Sequence, residues 1–344
     1  MATNQTYDIT IIGGGPTGLF AAFYAGMRKA SVKIIDSLPL LGGQVSMFFP
    51  DQDIYDIPGF PSITGEQFIQ QMTQQANHFD HSICLNERVD EIQTLTDGTF
   101  KLVTSKSTHY SKTVVIAAGA GDFQPRKLPI EGAKQFEDKG LVYHMVDKQS
   151  YKDQVVAICG GGDAAVDWAL SLEKIAKKVY LIHRRDVFRA HEYSVSLLKE
   201  STVEVLTPFT LSQLHGEDGQ LEALTLKEVR GEKERTIDLN HLIVNFGFAS
   251  SVQTFKNWGL ETTSHQIKVN SKMETNIPGI YAAGDIAWYD GKIQLIATGF
   301  GDAPTAINHA VHYIHPTERT QPIQSTSLNL SQNRKDENER YANK

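Results

Sequence analysis

Residues 10–23 read TIIGGGPTGLFAAF, an apolar run that leads into three glycines and then into a stretch with helical spacing. The apolar run begins at residue 7 as YDITII, which has the length and composition of a short buried strand. A second strand, SVKIID, ends at residue 36. Residues 7–36 therefore predict a βαβ unit whose helix covers residues 16–30, and units of this kind form parallel sheets with helices on their faces.

The glycines of this first turn have the spacing G-x-G-x-x-G, at Gly13, Gly15 and Gly18. The first allows the tight turn, the second lets the backbone approach a pyrophosphate, and the third lets helix and strand pack closely. Asp36 ends the next strand, where a carboxylate that holds a ribose hydroxyl is expected. The turn predicts a dinucleotide site, and the alternative is a tight structural turn in another kind of α/β protein.

A second turn of the same design occurs at residues 157–170, AICGGGDAAVDWAL. Gly160, Gly162 and Ala165 form the G-x-G-x-x-A variant, and Asp163 opens the helix that follows. Residues 153–183 thus repeat the order of strand, turn, helix and strand. Two such turns predict two nucleotides in one chain, between which something is passed.

The residues that end each βαβ unit distinguish the two nucleotides. Asp36 lies 23 residues after Gly13, and 23 residues after Gly160 is His183, followed by Arg184 and Arg185. A carboxylate would repel a 2′-phosphate, whereas a guanidinium binds it bidentately. Arg189 could reach the same group. The second site is therefore predicted to take NADP(H), and the alternative is a solvated basic strand end.

FAD in the first site and NADPH in the second is the pairing that makes chemical sense, because a hydride can pass from the nicotinamide to the flavin. The remaining pattern predicts an α/β fold of two Rossmann-like, three-layer ββα domains, with the NADPH domain inserted into the FAD domain. Residues 64–80 are an amphipathic segment, and three alternating strands follow, two of them joined by a hairpin at Asp97 and Gly98. Two Gly-rich crossovers suggest where the chain leaves the first domain and returns. We expect FAD in residues 1–118 and 249–344, NADPH in residues 119–248, and disorder in the polar tail 327–344.

Composition limits the function classes. The 344 residues suffice for two domains, and a net charge of −7 argues against general nucleic-acid binding. No stretch has the length of a membrane span, and the two cysteines, Cys84 and Cys159, suggest a reducing compartment, so we expect a cytoplasmic protein. Cys84 is expected to be a small buried apolar residue. No metal is expected, because His309, His312 and His315 lack accompanying ligands.

The segments IIGGGPTGL, VVIAAGA, CGGGDAAVD, HRR and GIYAAGDI resemble the low-molecular-weight thioredoxin reductase family over nearly the whole chain. That family carries Cys-x-x-Cys ahead of the second turn, whereas this chain has YHMVD at residues 143–147. Dithiol exchange needs an attacking thiolate and a resolving thiol, so this chain cannot use that route.

Without the dithiol, the chain resembles the thioredoxin-reductase-like ferredoxin–NADP⁺ reductases of bacteria. LGGQVSMFFPDQDIYDIPGFP, FQPRKL, HRRDVFRAHE, METNIPGIYAAGDI and IATGFGDAPTAINHA are similar to that branch. The resemblance implies that Gln44 lies against the flavin and that Phe49 stacks on its ring. It further implies FAD contacts from residues spread along the chain: Thr17, Val89, Phe123, Asp285 and, in a C-terminal extension, Thr326.

The resemblance implies a homodimeric flavoprotein that passes hydride from NADPH to FAD and single electrons to ferredoxin or flavodoxin, or the reverse. Those carriers are usually acidic, so Arg126, Lys127 and the HRR region at residues 183–185 are candidate docking cations, and the alternative is that they are ordinary solvated side chains. No general base is required for the hydride step. Two alternatives stay open: a reductase of the same build acting on a low-molecular-weight disulfide, a quinone or oxygen, and a non-catalytic NADPH sensor.

Overall fold

The computed structural model describes residues 5–119, 126–143, 148–247, 252–263, 265–320 and 325–327. Its helices are α1 (Pro16–Met27), α2 (Gln44–Phe48), α3 (Gly65–Ala76), α4 (Asp163–Glu173), α5 (Glu192–Glu200), α6 (Val252–Asn257) and α7 (Ile296–Ile314). Short 3-10 turns lie at Ala133–Phe136, Lys148–Tyr151, Gly284–Ile286 and Ser325–Ser327. Within the described ranges, no helix combines the length and the apolar character needed to cross a bilayer.

The strands of the first half are β1 (Thr6–Ile12), β2 (Val32–Ile35), β3 (Asp53–Ile54), β4 (Ile63–Thr64), β5 (Ser82–Cys84), β6 (Val89–Thr94), β7 (Phe100–Thr104), β8 (Thr108–Ile116), β9 (Leu141–Val142) and β10 (Val155–Cys159). Those of the second half are β11 (Lys178–Ile182), β12 (Glu204–Leu206), β13 (Phe209–His215), β14 (Ala223–Glu228), β15 (Glu234–Asp238), β16 (His241–Val244), β17 (Thr262–Thr263), β18 (Gln266–Lys268), β19 (Ile280–Ala282) and β20 (Ala287–Trp288). The chain divides into two compact units, one from residues 1–122 and 250–344 and the other from residues 123–249.

The first unit is built on a sheet of order β5-β2-β1-β8, parallel throughout, with β19 also parallel to β8. β8 is long enough to serve two partners on its other edge: residues 108–111 pair with the β6–β7 hairpin, and residues 114–116 pair with β19. Helices α1, α3 and α7 cover one face over an apolar core, and a second core fills the face of the hairpin. This confirms the predicted ββα layering.

The second unit has a parallel sheet of order β12-β11-β10-β16-β9, with α4 connecting β10 to β11. One apolar core lies between this sheet and α4 and α5, and another lies against the antiparallel sheet β13-β14-β15. The α/β fold class is therefore confirmed in both units.

Two local predictions compare closely with the structure. The hairpin between β6 and β7 turns at Gly98, which takes the positive φ of +83° that this turn requires. Helix α1 ends at Met27, three residues before the predicted end. Lys29 adopts a left-handed φ of +60° and its N–H bonds to the Gly26 carbonyl, so the chain turns toward β2 there.

Candidate functional site

The first glycine turn lies at the carboxyl edge of the parallel sheet of the first unit, where β1 and β8 end side by side. A Cβ on Gly13 would lie 2.4 Å from the Ala117 carbonyl oxygen, and Gly13 also has a φ of +108°. A Cβ on Gly18 would lie 1.9 Å from the Gly13 carbonyl oxygen. Both positions therefore exclude a side chain for packing reasons. β1 leads through α1 to β2, which pairs with one edge of β1, whereas β8 pairs with its other edge. This end of the sheet is therefore a topological switch point, where nucleotides bind in such folds.

Gly15 has a different role, because a Cβ there would meet nothing nearer than the Gly43 Cα at 3.8 Å. Gly15 is the N-cap of α1 and Pro16 is its first residue, and no side chain caps the helix. The N–H groups at this helix start are therefore left to an anion, and the space over Gly15 and Gly43 is free of side chains. The arrangement fits the pyrophosphate of a dinucleotide.

Asp36 is buried and braces the turn from the end of β2. Its carboxylate accepts a hydrogen bond from the Gly14 N–H at 2.6 Å and another from the Leu38 N–H at 2.8 Å. Burial raises the pKa of this carboxyl, although the two backbone hydrogen bonds lower it. Each carboxylate oxygen has a second lone pair, so Asp36 can still accept a hydroxyl from a ribose.

The other predicted FAD residues of the first unit come from several segments. Gln44 is half-buried at the start of α2, next to Gly43, and Phe49 is its half-buried C-cap. Thr17 contacts the Gly284 turn, since a Cβ on Gly284 would lie 2.7 Å from its Oγ1, and Asp285 follows in the same turn. Of the remaining predicted FAD residues, Val89 is buried in the core and Thr326 is exposed in its 3-10 turn. Phe123 lies outside the described residues.

A buried ion pair beside this turn is absent from the sequence-based site. The Asp302 carboxylate on α7 contacts the Lys292 ammonium, and their side chains are only 4% and 2% exposed. Asp302 also accepts hydrogen bonds from the Gly284 N–H at 3.0 Å and from the Tyr289 hydroxyl at 3.0 Å. Asp302 thus fastens the turn that carries Asp285 to α7. An isolated aspartate within a helix gives no sequence signal for this role.

The second glycine turn lies at the carboxyl end of β10. Gly160 packs closely, because a Cβ there would lie 2.9 Å from the Ala165 Cβ, so the methyl group at the third position fits only because residue 160 has no side chain. Gly162 has nothing within 4 Å of such a Cβ, and it is the N-cap of α4, which again lacks a side-chain cap. The exposed Asp163 carboxylate accepts the His191 N–H at 2.7 Å, so it holds the following loop against the helix start.

The residues after β11 separate into two kinds. Arg184, Arg185 and Arg189 are exposed, and the Arg189 N–H donates to the Gly161 carbonyl at 2.7 Å, which folds their loop back over the turn. His183 is instead half-buried, with its ring against Gly161 and stacked on Phe188. Burial, and then the neighbouring Arg184, lower the pKa of His183. His183 therefore lines the turn as a neutral ring, and the arginines supply the charge.

Neither cysteine is set up for thiol chemistry. Cys159 is buried in β10, and burial strongly raises the pKa of its thiol, so the reactive thiolate is suppressed. Cys84 was expected to be buried, but the structure shows it half-buried. Its partial burial raises the pKa of its thiol, and the nearby Glu87 carboxylate raises it further. Of the YHMVD segment, only Tyr143 is described, and its hydroxyl accepts a hydrogen bond from the Leu128 N–H.

Lys127, one of the candidate docking cations, already interacts with other residues of its own unit. The Lys127 ammonium pairs with Glu137 at 2.8 Å and lies over the Tyr143 ring. Its charge is therefore partly neutralised within its own unit. Arg126 is exposed, and its backbone N–H donates to the Gly247 carbonyl.

Among the described residues, three metal-ligating types meet at Cys84, Glu87 and His109, whose ligand atoms lie within 4.8 Å of one another. Hydrogen bonds already connect this group: His109 Nε2 donates to Glu87 at 2.8 Å, and Lys33 donates to His109 Nδ1 at 2.8 Å. The lysine charge opposes a cation at this place. The group is therefore a polar network between β2, β5 and β8, and no metal is required to satisfy it.

This network predicts an acid-dependent loss of stability. Burial raises the pKa of Glu87, but hydrogen bonds from Ser107, Thr104 and His109 outweigh it and lower the pKa to about 2 from the usual 4.5. A carboxyl whose pKa is depressed in the folded state stabilises the fold above its unfolded pKa, and that contribution is lost as the pH falls through the folded pKa. Between about pH 5 and pH 2, the wild type should therefore lose its stability advantage over Glu87→Gln. Urea midpoints measured across this range test it, with exposed Glu91→Gln as the control, and a constant difference would contradict it.

Comparisons with known proteins agree with this geometry. The chain matches the pyridine nucleotide-disulphide oxidoreductase family over residues 7–310. It is 56% identical to a Halalkalibacterium halodurans protein named ferredoxin–NADP reductase, over 94% of this chain and 98% of that protein. A Bacillus subtilis protein named ferredoxin–NADP reductase 2 is also 56% identical, over 94% of this chain and 97% of its own. The solved thioredoxin reductase of Lactococcus lactis, in its FR conformation, is 26% identical with a TM-score of 0.76, covering 90% of this chain and 99% of that one.

These matches confirm the resemblance found in the sequence, and the fold is that of the thioredoxin reductase-type proteins. The chain belongs to the pyridine nucleotide-disulphide oxidoreductase family, and within that family to the group of the ferredoxin–NADP reductases.

Proposed function

We propose that the protein is an oxidoreductase that binds FAD in its first unit and NADPH in its second, and that it exchanges electrons between NADPH and ferredoxin. The observation that carries the proposal is the pair of uncapped helix starts, one followed by Asp36 and the other by Arg184 and Arg185. A carboxylate suits an unmodified ribose, and two guanidinium groups suit a 2′-phosphate. The identity of 54–56% to proteins named ferredoxin–NADP reductase supports the same acceptor.

The residues proposed for FAD surround the first turn. Gly13, Gly15 and Gly18 shape the pyrophosphate site at α1, Asp36 holds the ribose, and the Gln44, Phe49 and Asp285 side chains come from the segments around it. The same proposal includes the remaining residues that the resemblance implies: Thr17, Val89, Phe123 and Thr326. Bound FAD supplies the chemistry that couples a two-electron hydride donor to a one-electron carrier.

The residues proposed for NADPH surround the second turn. Gly160, Gly162 and Ala165 let the pyrophosphate reach the start of α4, Asp163 holds the loop, and His183 lines the turn. Arg184, Arg185 and Arg189 bind the 2′-phosphate. Hydride transfer needs no acid or base, so the protein contributes binding and orientation. Because the thiol pKa values of Cys84 and Cys159 are raised, neither cysteine serves as a relay.

Two further features belong to the proposal through the resemblance alone: flavodoxin as a second carrier, and a homodimer. A cytoplasmic location also belongs to the proposal, because the chain has only two cysteines, Cys84 and Cys159, in unrelated contexts. The carrier is an acidic protein, so its docking would be weakened by salt.

The test is reduction of cytochrome c driven by NADPH, with and without ferredoxin, and repeated with NADH. We expect ferredoxin to raise the rate strongly and NADH to be a poor donor. Bleaching of the flavin by NADPH without any effect of ferredoxin would overturn the acceptor and favour a disulfide, a quinone or oxygen. Failure of NADPH to bleach the flavin would favour the non-catalytic sensor.

A further inference from the structure

The second glycine turn is flanked on both sides by buried side-chain atoms that have no hydrogen-bond partner. Among the described residues, four side-chain atoms are in this condition, on Thr10, His81, His183 and Asn245. Two of the four, His183 Nε2 and Asn245 Nδ2, belong to residues that contact this turn. A buried polar atom without a partner is costly, so its recurrence at one loop indicates a missing ligand.

Asn245 has the more informative position of the two. It follows β16 directly, as Gly160 follows β10, and these two strands are parallel neighbours. The chain passes from β10 through α4 to β11 on one side, while β16 lies on the other, so the crevice between the ends of β10 and β16 is the switch point of this sheet. Ligands of open α/β sheets bind in that crevice.

The backbone of Asn245 is held firmly against the turn. Its N–H donates to the Cys159 carbonyl at 2.8 Å, and a Cβ on Gly160 would lie 2.7 Å from the Asn245 carbonyl oxygen. The amide side chain is therefore carried on a fixed backbone, while its Nδ2 makes no bond within the described protein.

We infer that Asn245 is a further NADPH-binding residue, whose amide donates a hydrogen bond to an oxygen in the pyrophosphate–ribose part of the nucleotide. The inference rests on the proposed function and adds a contact from the opposite side of the turn to Arg184 and Arg185. The arginines select the 2′-phosphate, whereas Asn245 positions the part of the nucleotide nearer to the nicotinamide.

The variants are Asn245→Ala, which removes the amide, and Asn245→Asp, which keeps its shape but places a negative charge near the phosphates. Gln213→Ala, which removes an exposed amide on β13, is the matched control. Titration calorimetry of the FAD-loaded protein with NADP⁺ should give a Kd about tenfold higher for Asn245→Ala, since the variant loses one hydrogen bond to the nucleotide and tenfold corresponds to about 1.4 kcal/mol. The increase should be larger for Asn245→Asp and absent for Gln213→Ala.

Two readouts separate binding from a structural role. Adenosine 2′-monophosphate carries the 2′-phosphate but no pyrophosphate, so its affinity should be unchanged in Asn245→Ala. The melting temperature without nucleotide should also be unchanged or slightly raised, because the lost Nδ2 had no partner.

A lower melting temperature with unchanged NADP⁺ affinity would overturn the inference. If the wild type itself fails to bind NADP⁺, the proposed function falls and the inference with it, whereas equal binding by wild type and Asn245→Ala removes the inference alone.

Discussion

Replacing both Arg184 and Arg185 with alanine is expected to raise the KM for NADPH by about two orders of magnitude and to leave the KM for NADH nearly unchanged. Hydrogen bonds to a charged group contribute about 1.5–3 kcal/mol each, and 1.4 kcal/mol corresponds to tenfold, so two contacts give about two to four orders of magnitude. The lower limit is expected because solvent screens these exposed side chains. Both guanidinium groups are exposed after β11, so their loss leaves the core of the second unit intact. NADH has no 2′-phosphate and makes none of these contacts.

The measurement is steady-state reduction of an artificial acceptor with each nicotinamide, for the wild type, the double variant and Arg230→Ala as an exposed arginine of the same unit. The kcat at saturating NADPH should change little, because the lost contacts bind the ground state and the transition state alike. A parallel rise of KM for NADPH and NADH would show that the arginines act on the shared part of the nucleotide, against the prediction.

Replacing Asp302 with alanine is expected to destabilise the first unit by about 3–5 kcal/mol, because it leaves the Lys292 ammonium buried without its partner. The substitution also removes the acceptor of the Gly284 N–H and of the Tyr289 hydroxyl. The turn that carries Asp285 then loses its attachment to α7, so the purified variant should also hold less FAD. The ratio of flavin to protein absorbance and the urea midpoint measure the two effects.

Two control variants test whether the loss of stability comes from the unpaired buried charge. The double variant Lys292→Met with Asp302→Leu removes both charges, so it should recover much of the lost stability. Asp90→Asn breaks an exposed pair with Arg88, whose side chains are 39% and 50% exposed, and should cost less than about 1 kcal/mol. An Asp302→Ala effect no larger than that of Asp90→Asn would refute the positioning role.

The site residues that could be predicted from the sequence are those whose spacing along the chain follows a short-range motif. Gly13, Gly15 and Gly18 lie within six residues, and Asp36 follows at the distance set by one helix and one strand. The same periodicity placed Arg184 and Arg185 after the second turn, so the sequence alone predicted different nucleotides at the two turns. His183 shows the limit of spacing alone: it occupies the position equivalent to Asp36, yet its ring packs on Gly161 and its pKa is lowered.

The sequence by itself determined the class of fold and the nature of the two cofactors, because βαβ units and glycine turns are encoded over short stretches. Only the tertiary structure decided which distant side chains lie against the glycine turns. Asp302 meets Gly284 across the packing of α7, and Asn245 meets Gly160 because β16 pairs with β10, although 85 residues separate the two. Such contacts depend on strand order and helix packing, which no local spacing records.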